Sequence, residues 1–340
     1  MTAGGYYAGL MEYADLPRAF LRHWSFLRDA SEVSRMAGGE LKDVYRIDTS
    51  GGPYALRIYT PDVSPGDVAS ELELVAPFAE RLPEVPSAIR TEGGELQATE
   101  GGRVAVLTTF VEGEKPDRQN PQHRRAGAEM LARLHSVAAS IETPAPRPGF
   151  PARGDLDWEQ TRWWSWHDIE RYLEEHDLDE LGGTDAAGLH RRLIGEVVVL
   201  PDALDQLARR GLPTMPIHND YWEGNLIERD GRIVGIVDWD ECAVDWRAIE
   251  VVDAACSFGR GELGYEFDPA AAREFVELYV DCGGEILSEE RQALLPLRLI
   301  RLVWETLYEL GRACQGYSLD QPYLWGNLTS LDGVDQDVFG

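Results

Sequence analysis

The stretch His218-Asn219-Asp220-Tyr221-Trp222-Glu223-Gly224-Asn225, followed by Asp238, decides the fold that this sequence predicts. Within it, Asp220 and Asn225 lie on a segment that leads into a predicted β-hairpin. The turn of that hairpin is Asp230-Gly231, a pair that favours a two-residue turn between apolar strands. Because the two strands of a hairpin run antiparallel, the second strand should bring Asp238 back beside Asn225.

These three side chains suit the chemistry of phosphate transfer. Asn225 and Asp238 offer hard oxygen atoms to a Mg²⁺ ion that bridges nucleotide phosphates. Asp220 can accept the proton of an attacking hydroxyl group. An Asp next to Gly or Asn is often only a turn former, but here spacing, turn and strand agree. The sequence therefore predicts a catalytic base at Asp220 and metal ligands at Asn225 and Asp238.

The pattern resembles the catalytic and metal loops of the kinase fold, which read H-R-D-L-x-x-x-N and D-F-G in protein kinases. Here the loops read His-Asn-Asp and Asp-Trp-Asp, which is closer to aminoglycoside phosphotransferases, choline kinases and type II homoserine kinases. Two flanking stretches, Leu131–His135 and Asp245–Val251, also resemble that family. The resemblance implies a supporting role, rather than a reactive one, for His218.

The order of predicted elements, with the resemblance, implies an α+β, two-lobed, protein-kinase-like fold. We expect a small antiparallel β-rich N-lobe with one helix over residues 1–112 and a large, mainly helical C-lobe over residues 113–340. Period-two and helical patterns predict the following elements. Strands are expected near residues 42–48, 54–59, 96–99, 104–109 and 225–238, and helices near residues 15–30, 64–82, 126–139, 156–176, 187–210, 268–282 and 287–313.

The N-lobe should bind the nucleotide phosphates. Where the family has a lysine on the second strand of the hairpin, this sequence has Arg57. A guanidinium group can hold α- and β-phosphates with two donors. Its expected partner on the next helix is Glu71, and Lys42 can share the work. The alternative is a surface Arg–Glu pair that contributes under about 1 kcal/mol.

The resemblance implies further nucleotide contacts at both ends of the N-lobe sheet. Gly38 and Gly39 resemble the loop that covers the phosphates. Residues 108–113 resemble the hinge, where backbone groups of Thr109 and Val111 would hold the adenine edge.

The composition excludes several classes of function. Lys and Arg number 32 against 60 Asp and Glu, a formal net charge of −28. Such a surface repels nucleic acid and anionic membranes, so we expect neither as a partner. High-salt adaptation and the Arg-rich usage of a GC-rich genome both explain this composition. The four cysteines form no CxxC pair and the first residues lack a signal-peptide pattern, so we expect a cytoplasmic protein with reduced thiols.

The acceptor site is expected beside the catalytic loops. Aromatic faces and carboxylates together suit an amine-bearing or sugar-like alcohol, so the acceptor can be cationic. The substrate-binding candidates are Trp222, Glu223, Trp239, Asp240 and Glu241. Alternatively, the two tryptophans have packing roles, and Asp240 and Glu241 either form a second metal contact or are simply solvated.

The sequence thus predicts an ATP- and Mg²⁺-dependent kinase acting on a hydroxyl group of a small molecule. An amino sugar, an aminoglycoside, an amino alcohol or a homoserine-like compound would fit. Three alternatives stay open: a Ser/Thr protein kinase of the same superfamily, a non-catalytic nucleotide-binding regulator and a metal-dependent phosphatase. The replacement of the lysine by Arg57 motivates the regulator.

Overall fold

The structure, a computed structural model, describes residues 16–28, 30–36, 41–161, 163–176, 195, 199–261, 267–320, 323, 324, 326 and 327. The chain forms two compact units. Unit 1 comprises Met1–Glu112 and Gly235–Val237, and unit 2 comprises Gly113–Val234 and Asp238–Gly340. The predicted phosphate-loop residues Gly38 and Gly39 lie outside the described residues.

Within the described residues, unit 1 is built on an antiparallel sheet with strand order β1-β2-β3-β5-β4. The predicted hairpin forms from β2 and β3, which are in register with Val44 opposite Arg57. Apolar side chains of the sheet pack against the short first helix, α1 (Leu16–Leu21). The strands are β1 (Glu32–Arg35), β2 (Lys42–Thr49), β3 (Gly52–Tyr59), β4 (Ala98–Glu100) and β5 (Arg103–Thr109).

Helix α2 (Pro65–Ala79) positions an acidic side chain in unit 1. It begins with a capping box, in which Ser64 Oγ accepts the Asp67 N–H at 3.2 Å and Asp67 Oδ2 accepts the Ser64 N–H at 3.1 Å. Its buried face packs Val68 and Leu72 against the sheet. Glu71 lies on that apolar face and is only 1% exposed, so its carboxylate needs a partner there.

Unit 2 is mainly helical within the described residues. Residues 199–208 are also helical. The named helices are α3 (Pro121–Ala138), α4 (Trp166–Glu175), α5 (Arg247–Phe258), α6 (Pro269–Asp281), α7 (Ser288–Arg291) and α8 (Leu294–Cys314). The strands are β6 (Thr214–Ile217), β7 (Leu226–Arg229), β8 (Arg232–Ile236), whose last two residues belong to unit 1, and β9 (Ala243–Trp246).

Short strands β6 and β9 were not predicted, yet they position the site. They pair antiparallel with Ile217 opposite Ala243. The predicted catalytic segment, His218–Asn225, therefore starts next to the pair of Ile217 and Ala243, where the segment after Asp238 enters β9. Strands β7 and β8 form the predicted hairpin. Among the residues described, no helix is long and apolar enough to cross a membrane.

Two predicted helices are shorter than the pattern suggested. Among the described residues of the range 156–176, only Trp166–Glu175 are helical. Just before it, Thr161 Oγ1 accepts the backbone N–H groups of Trp163 and Trp164 at 3.1 and 3.0 Å, and such bonds compete with a helix. Of the range 15–30, the helix keeps Leu16–Leu21 and a single turn follows at Ser25–Leu27.

Candidate active site

The catalytic segment is held by hydrogen bonds among its own residues. Asn225 Nδ2 donates to Asp220 Oδ2 at 2.6 Å and to the Asp220 carbonyl oxygen at 3.0 Å. The Asp220 N–H donates to Nδ1 of His218 at 3.3 Å. His218 is fully buried, and its ring centroid lies 4.5 Å from that of Trp239. The two predicted functional side chains therefore touch, and His218 sits behind them.

Asp238 has an unusual backbone conformation. Its φ is 66°, in the left-handed region, and Asn219 beside the candidate base has the same value. Outside glycine, this region is mostly adopted by Asn and Asp. The conformation turns the chain sharply where β8 has ended, and Asp238 is half-buried there.

Burial raises the pKa of Asp220 to about 7. The negative charge of Asp238 adds to that rise, and the hydrogen bond from Asn225 opposes it. Two carboxyl groups are thus close enough to feel each other, and a cation between them would favour ionisation of both.

A cavity of about 820 Å³ in unit 2 is lined by Asp220. Of the substrate-binding candidates, Trp222, Glu223 and Glu241 line it. Trp239 and Asp240 are not among its lining residues: Trp239 is buried at 3% exposure against His218.

One face of α8 forms a wall of this cavity, and the sequence interpretation missed it. These side chains recur at helical spacing in a helix whose other faces are apolar, which is the signal that could have found them. They are Arg301, Trp304, Glu305, Tyr308, Glu309 and Arg312.

Most of the charges that line the cavity are paired with one another. Arg118 Nη2 lies 2.8 Å from Glu223 Oε1, and Ser257 Oγ donates to the other oxygen of Glu223. Arg301 lies 2.9 Å from Glu305, and it also contacts Asp253 at 2.8 Å. The cavity is therefore polar, and these walls carry no large excess of positive or negative charge.

In unit 1 the predicted pair of Arg57 and Glu71 is present. Arg57 Nη1 donates to Glu71 Oε1 at 2.7 Å, and the Tyr59 hydroxyl donates to Oε2 at 2.9 Å. The side chains of Arg57 and Glu71 are 13% and 2% exposed, so this is not the surface pair of the alternative interpretation. Lys42 is buried, with Nζ 5.9 Å from the Tyr59 ring centroid. Thr109 ends β5 opposite Tyr54.

Comparison with known proteins identifies the family of this chain. The model of the phosphotransferase enzyme family matches residues 32–288, a range that holds the catalytic segment, the hairpin and Asp238. The chain belongs to this family. A homoserine kinase from Phenylobacterium zucineum (strain HLK1) is 28% identical over 77% of this chain and 74% of its own length.

Two solved structures share the fold. An amicoumacin kinase in complex with AMP-PNP and Ca²⁺ has a TM-score of 0.65 at 14% identity, covering 95% of this chain and 94% of its own. A microcompartment-associated aminopropanol kinase has a TM-score of 0.63 at 19% identity, covering 95% and 99%. The predicted α+β kinase-like fold is confirmed. The chain is an enzyme that transfers phosphate from ATP to a small molecule, as the sequence predicted.

A buried network anchors the catalytic segment of this phosphotransferase to its helices. Glu250 on α5 is fully buried, and its Oε1 accepts the Asn219 N–H at 2.6 Å. Its Oε2 lies 2.7 Å from His135 Nε2, and His135 Nδ1 lies 2.8 Å from the Tyr279 hydroxyl. Each of the two flanking stretches that resemble the family supplies one residue of this network, His135 and Glu250. The sequence did not predict that these two residues touch.

We expect the Glu250→Gln variant to fold less stably and to react more slowly. Losing charge-assisted bonds to Asn219 and His135 should lower the free energy of unfolding by about 1–3 kcal/mol. A displaced catalytic loop should lower kcat by about 10- to 100-fold. Urea unfolding and steady-state kinetics test both. Glu277→Gln, an exposed site on α6, is the matched control, and equal behaviour of the two variants would contradict the anchoring role.

Two arginines outside the predicted site hold its loops. Arg153 Nη1 donates to Asn219 Oδ1 at 2.7 Å and to Asp245 Oδ2 at 3.1 Å. Arg147 Nη1 donates to the carbonyl oxygens of Asp240 and, at 3.2 Å, Cys242. The segment after Asp238 is therefore fixed by Arg147 and by Arg153, which begins a three-residue 3₁₀ turn, in a stretch whose sequence carries no recognisable motif.

Proposed function

We propose that this phosphotransferase moves the γ-phosphate of Mg²⁺-ATP to a hydroxyl group of a small amine-bearing compound in the 820 Å³ cavity. One observation carries the proposal: Asp220 lines the cavity and also hydrogen-bonds the candidate metal ligand Asn225. The acceptor side and the metal side of the reaction thus meet at a single carboxylate.

Asn225 and Asp238 are proposed to hold the metal ion. The amide nitrogen of Asn225 is engaged by Asp220, which leaves the amide oxygen for a cation. Among the residues that the structure describes, no group of three or more His, Cys, Asp or Glu could hold a metal. That suits Mg²⁺, which commonly takes one or two protein ligands and completes its shell with phosphates and water. When bound, the metal neutralises charge on the phosphate oxygens.

Asp220 is proposed to act as the general base. The acceptor oxygen forms a bond to the γ-phosphorus while the bond from that phosphorus to the bridging oxygen of ADP breaks. The hydroxyl proton passes to the Asp220 carboxylate, and the leaving electron pair stays on ADP. His218 supports this geometry through the Asp220 backbone.

Nucleotide binding is proposed for unit 1 and acceptor binding for unit 2, in keeping with the predicted division at residues 112 and 113. Glu71 fixes one nitrogen of Arg57 at 2.7 Å, which orients the guanidinium group for phosphate. Lys42 is proposed to assist. For Thr109 and Val111, the family resemblance remains the support for adenine contacts, as it does for Gly38 and Gly39.

The cavity favours an acceptor with a single amine. The indole rings of Trp163 and Trp304, with centroids 5.4 Å apart, offer aromatic faces for a cation. Glu223 and Glu305, which line the cavity, are paired with arginines. A polycationic aminoglycoside would have to compete with these arginines for the carboxylates. Homoserine, after which the curated relatives are named, carries one amine and one hydroxyl group.

An ADP-release screen tests this proposal. We expect kcat/KM for homoserine or short amino alcohols to exceed that for aminoglycosides by at least about tenfold, equal to 1.4 kcal/mol of discrimination. Unsubstituted alcohols of the same size are the matched control for the amine. Preference for aminoglycosides would contradict the single-amine acceptor, and phosphorylation of serine or threonine in a protein substrate would favour the protein-kinase alternative.

A further inference from the structure

Lysine is rare in this chain, and its positions are informative. Only Lys42 and Lys115 occur among 32 basic residues; the rest are arginines. Lys42 is buried in β2 of unit 1. Lys115 lies at the start of unit 2, and the sequence interpretation gave it no role. Position 115 is therefore one of two in the chain that carry a compact ammonium group where arginine is the usual cation.

The backbone around Lys115 is tied to the catalytic hairpin. The N–H of Glu114 donates to the Glu228 carbonyl at 2.9 Å, and the N–H of Glu228 donates back at 2.7 Å. Lys115 Nζ then donates to the carbonyl oxygen of Gly224, which directly precedes Asn225. The backbone before Lys115 is therefore held by Glu228, and the Lys115 side chain is held by Gly224 in the catalytic segment.

The Lys115 ammonium group also interacts electrostatically with the candidate metal ligand Asp238. Burial lowers the pKa of Lys115, and the negative charge of Asp238 opposes that effect. The residue as a whole remains exposed, so a ligand can reach it. An ammonium group has three N–H donors, and the Gly224 carbonyl oxygen takes one of them.

The neighbouring guanidinium groups have other partners. Arg118 pairs with Glu223, and Arg153 pairs with Asp245. The catalytic segment His218–Asn225 itself contains no Lys or Arg. Negative charge that spreads over the phosphoryl oxygens during transfer therefore calls for a cation from outside that segment.

We propose that Lys115 is a catalytic residue whose ammonium group binds the phosphoryl group in transfer. This inference rests on the proposed roles of Asn225 and Asp238 at the nucleotide phosphates. Lys115 keeps its proton throughout: it donates hydrogen bonds to the phosphoryl oxygens while the bond to ADP breaks. Its interaction strengthens as the transition state forms, so it should act on kcat more than on ATP affinity.

The test compares binding of a ground-state and a transition-state mimic. Wild type, Lys115→Met, Lys115→Gln and Lys115→Arg would be titrated with Mg²⁺-AMP-PNP and with Mg²⁺-ADP plus aluminium fluoride. For Lys115→Met and Lys115→Gln we expect AMP-PNP affinity within about threefold of wild type but a loss of about 100-fold for the aluminium fluoride complex. Lys115→Arg should recover part of that loss. Arg229→Met removes an exposed positive charge from the same hairpin and should change neither affinity.

Equal losses for both mimics, or no loss for either, would overturn the proposal and leave Lys115 as a structural tie to Gly224. The binding comparison needs no acceptor, so it stands even where the acceptor screen fails. Conversely, Mg²⁺-dependent AMP-PNP binding that survives loss of Asp238 would contradict the proposed metal site and not the Lys115 contact itself. Melting temperatures of all variants identify any that fail to fold.

Discussion

The Asp220→Asn variant should lose about 10³-fold in kcat while its Kd for Mg²⁺-ATP stays within about threefold of wild type. Asn is nearly the same shape as Asp, but its side chain cannot accept the hydroxyl proton. Nucleotide affinity should hold because the introduced amide oxygen can still accept the hydrogen bond from Asn225 Nδ2, which keeps the proposed metal ligand in place. Single-turnover phosphoryl transfer and calorimetric ATP binding measure the two quantities separately.

Asp230→Asn is the matched control for this experiment. Asp230 also has a left-handed backbone, with φ 54°, but it lies at the exposed turn of the β7–β8 hairpin. The control should retain wild-type kcat. If Asp220→Asn retained it as well across several active acceptors, Asp220 would not be the base.

Asp238→Ala should weaken ATP binding only when Mg²⁺ is present. Outer-shell partners of metal ligands typically contribute about 10–100-fold in metal affinity, and a direct ligand should contribute at least as much. We therefore expect about a 100-fold increase in the Kd for Mg²⁺-ATP and little change in EDTA. Calorimetric titrations at matched ionic strength check this difference.

Asp240→Ala is the informative comparison for Asp238→Ala. The Asp240 carbonyl oxygen is held by Arg147, and that bond survives the side-chain change. If Asp240→Ala reproduced the Mg²⁺-dependent loss and Asp238→Ala did not, the metal ligand would be misassigned by two positions. We expect the reverse.

The sequence predicted the parts of the site that follow from local pattern. Asp230-Gly231 defined the turn of a hairpin that the structure contains, and its two strands lead from Asn225 towards Asp238. The pair of Arg57 and Glu71 followed from the family resemblance, which implies a phosphate-binding side chain on that strand and an acidic partner on the next helix. The fold class and the reaction are confirmed, whereas the individual roles of the site residues stay predictions.

Features that depend on distant contacts were not predictable. Strands β6 and β9 have four residues each, and β6 contains Pro216, so neither shows a clear alternating pattern. The cavity wall on α8 has a helical periodicity that could identify a polar face, but that pattern does not reveal what the face contacts. Arg147 lies in an irregular segment and Arg153 in a three-residue 3₁₀ turn, and neither is long enough for its sequence to show a periodicity.

The left-handed backbone at Asn219 and Asp238 lowers the stability of the fold at two positions of the candidate active site. That conformation costs a non-glycine residue about 1–2 kcal/mol, and glycine would avoid most of the cost. In the proposed mechanism this cost is offset by function, because Asp238 supplies the proposed metal ligand and Asn219 supplies an amide bonded to Arg153. A catalytically silent descendant would gain stability by placing glycine there.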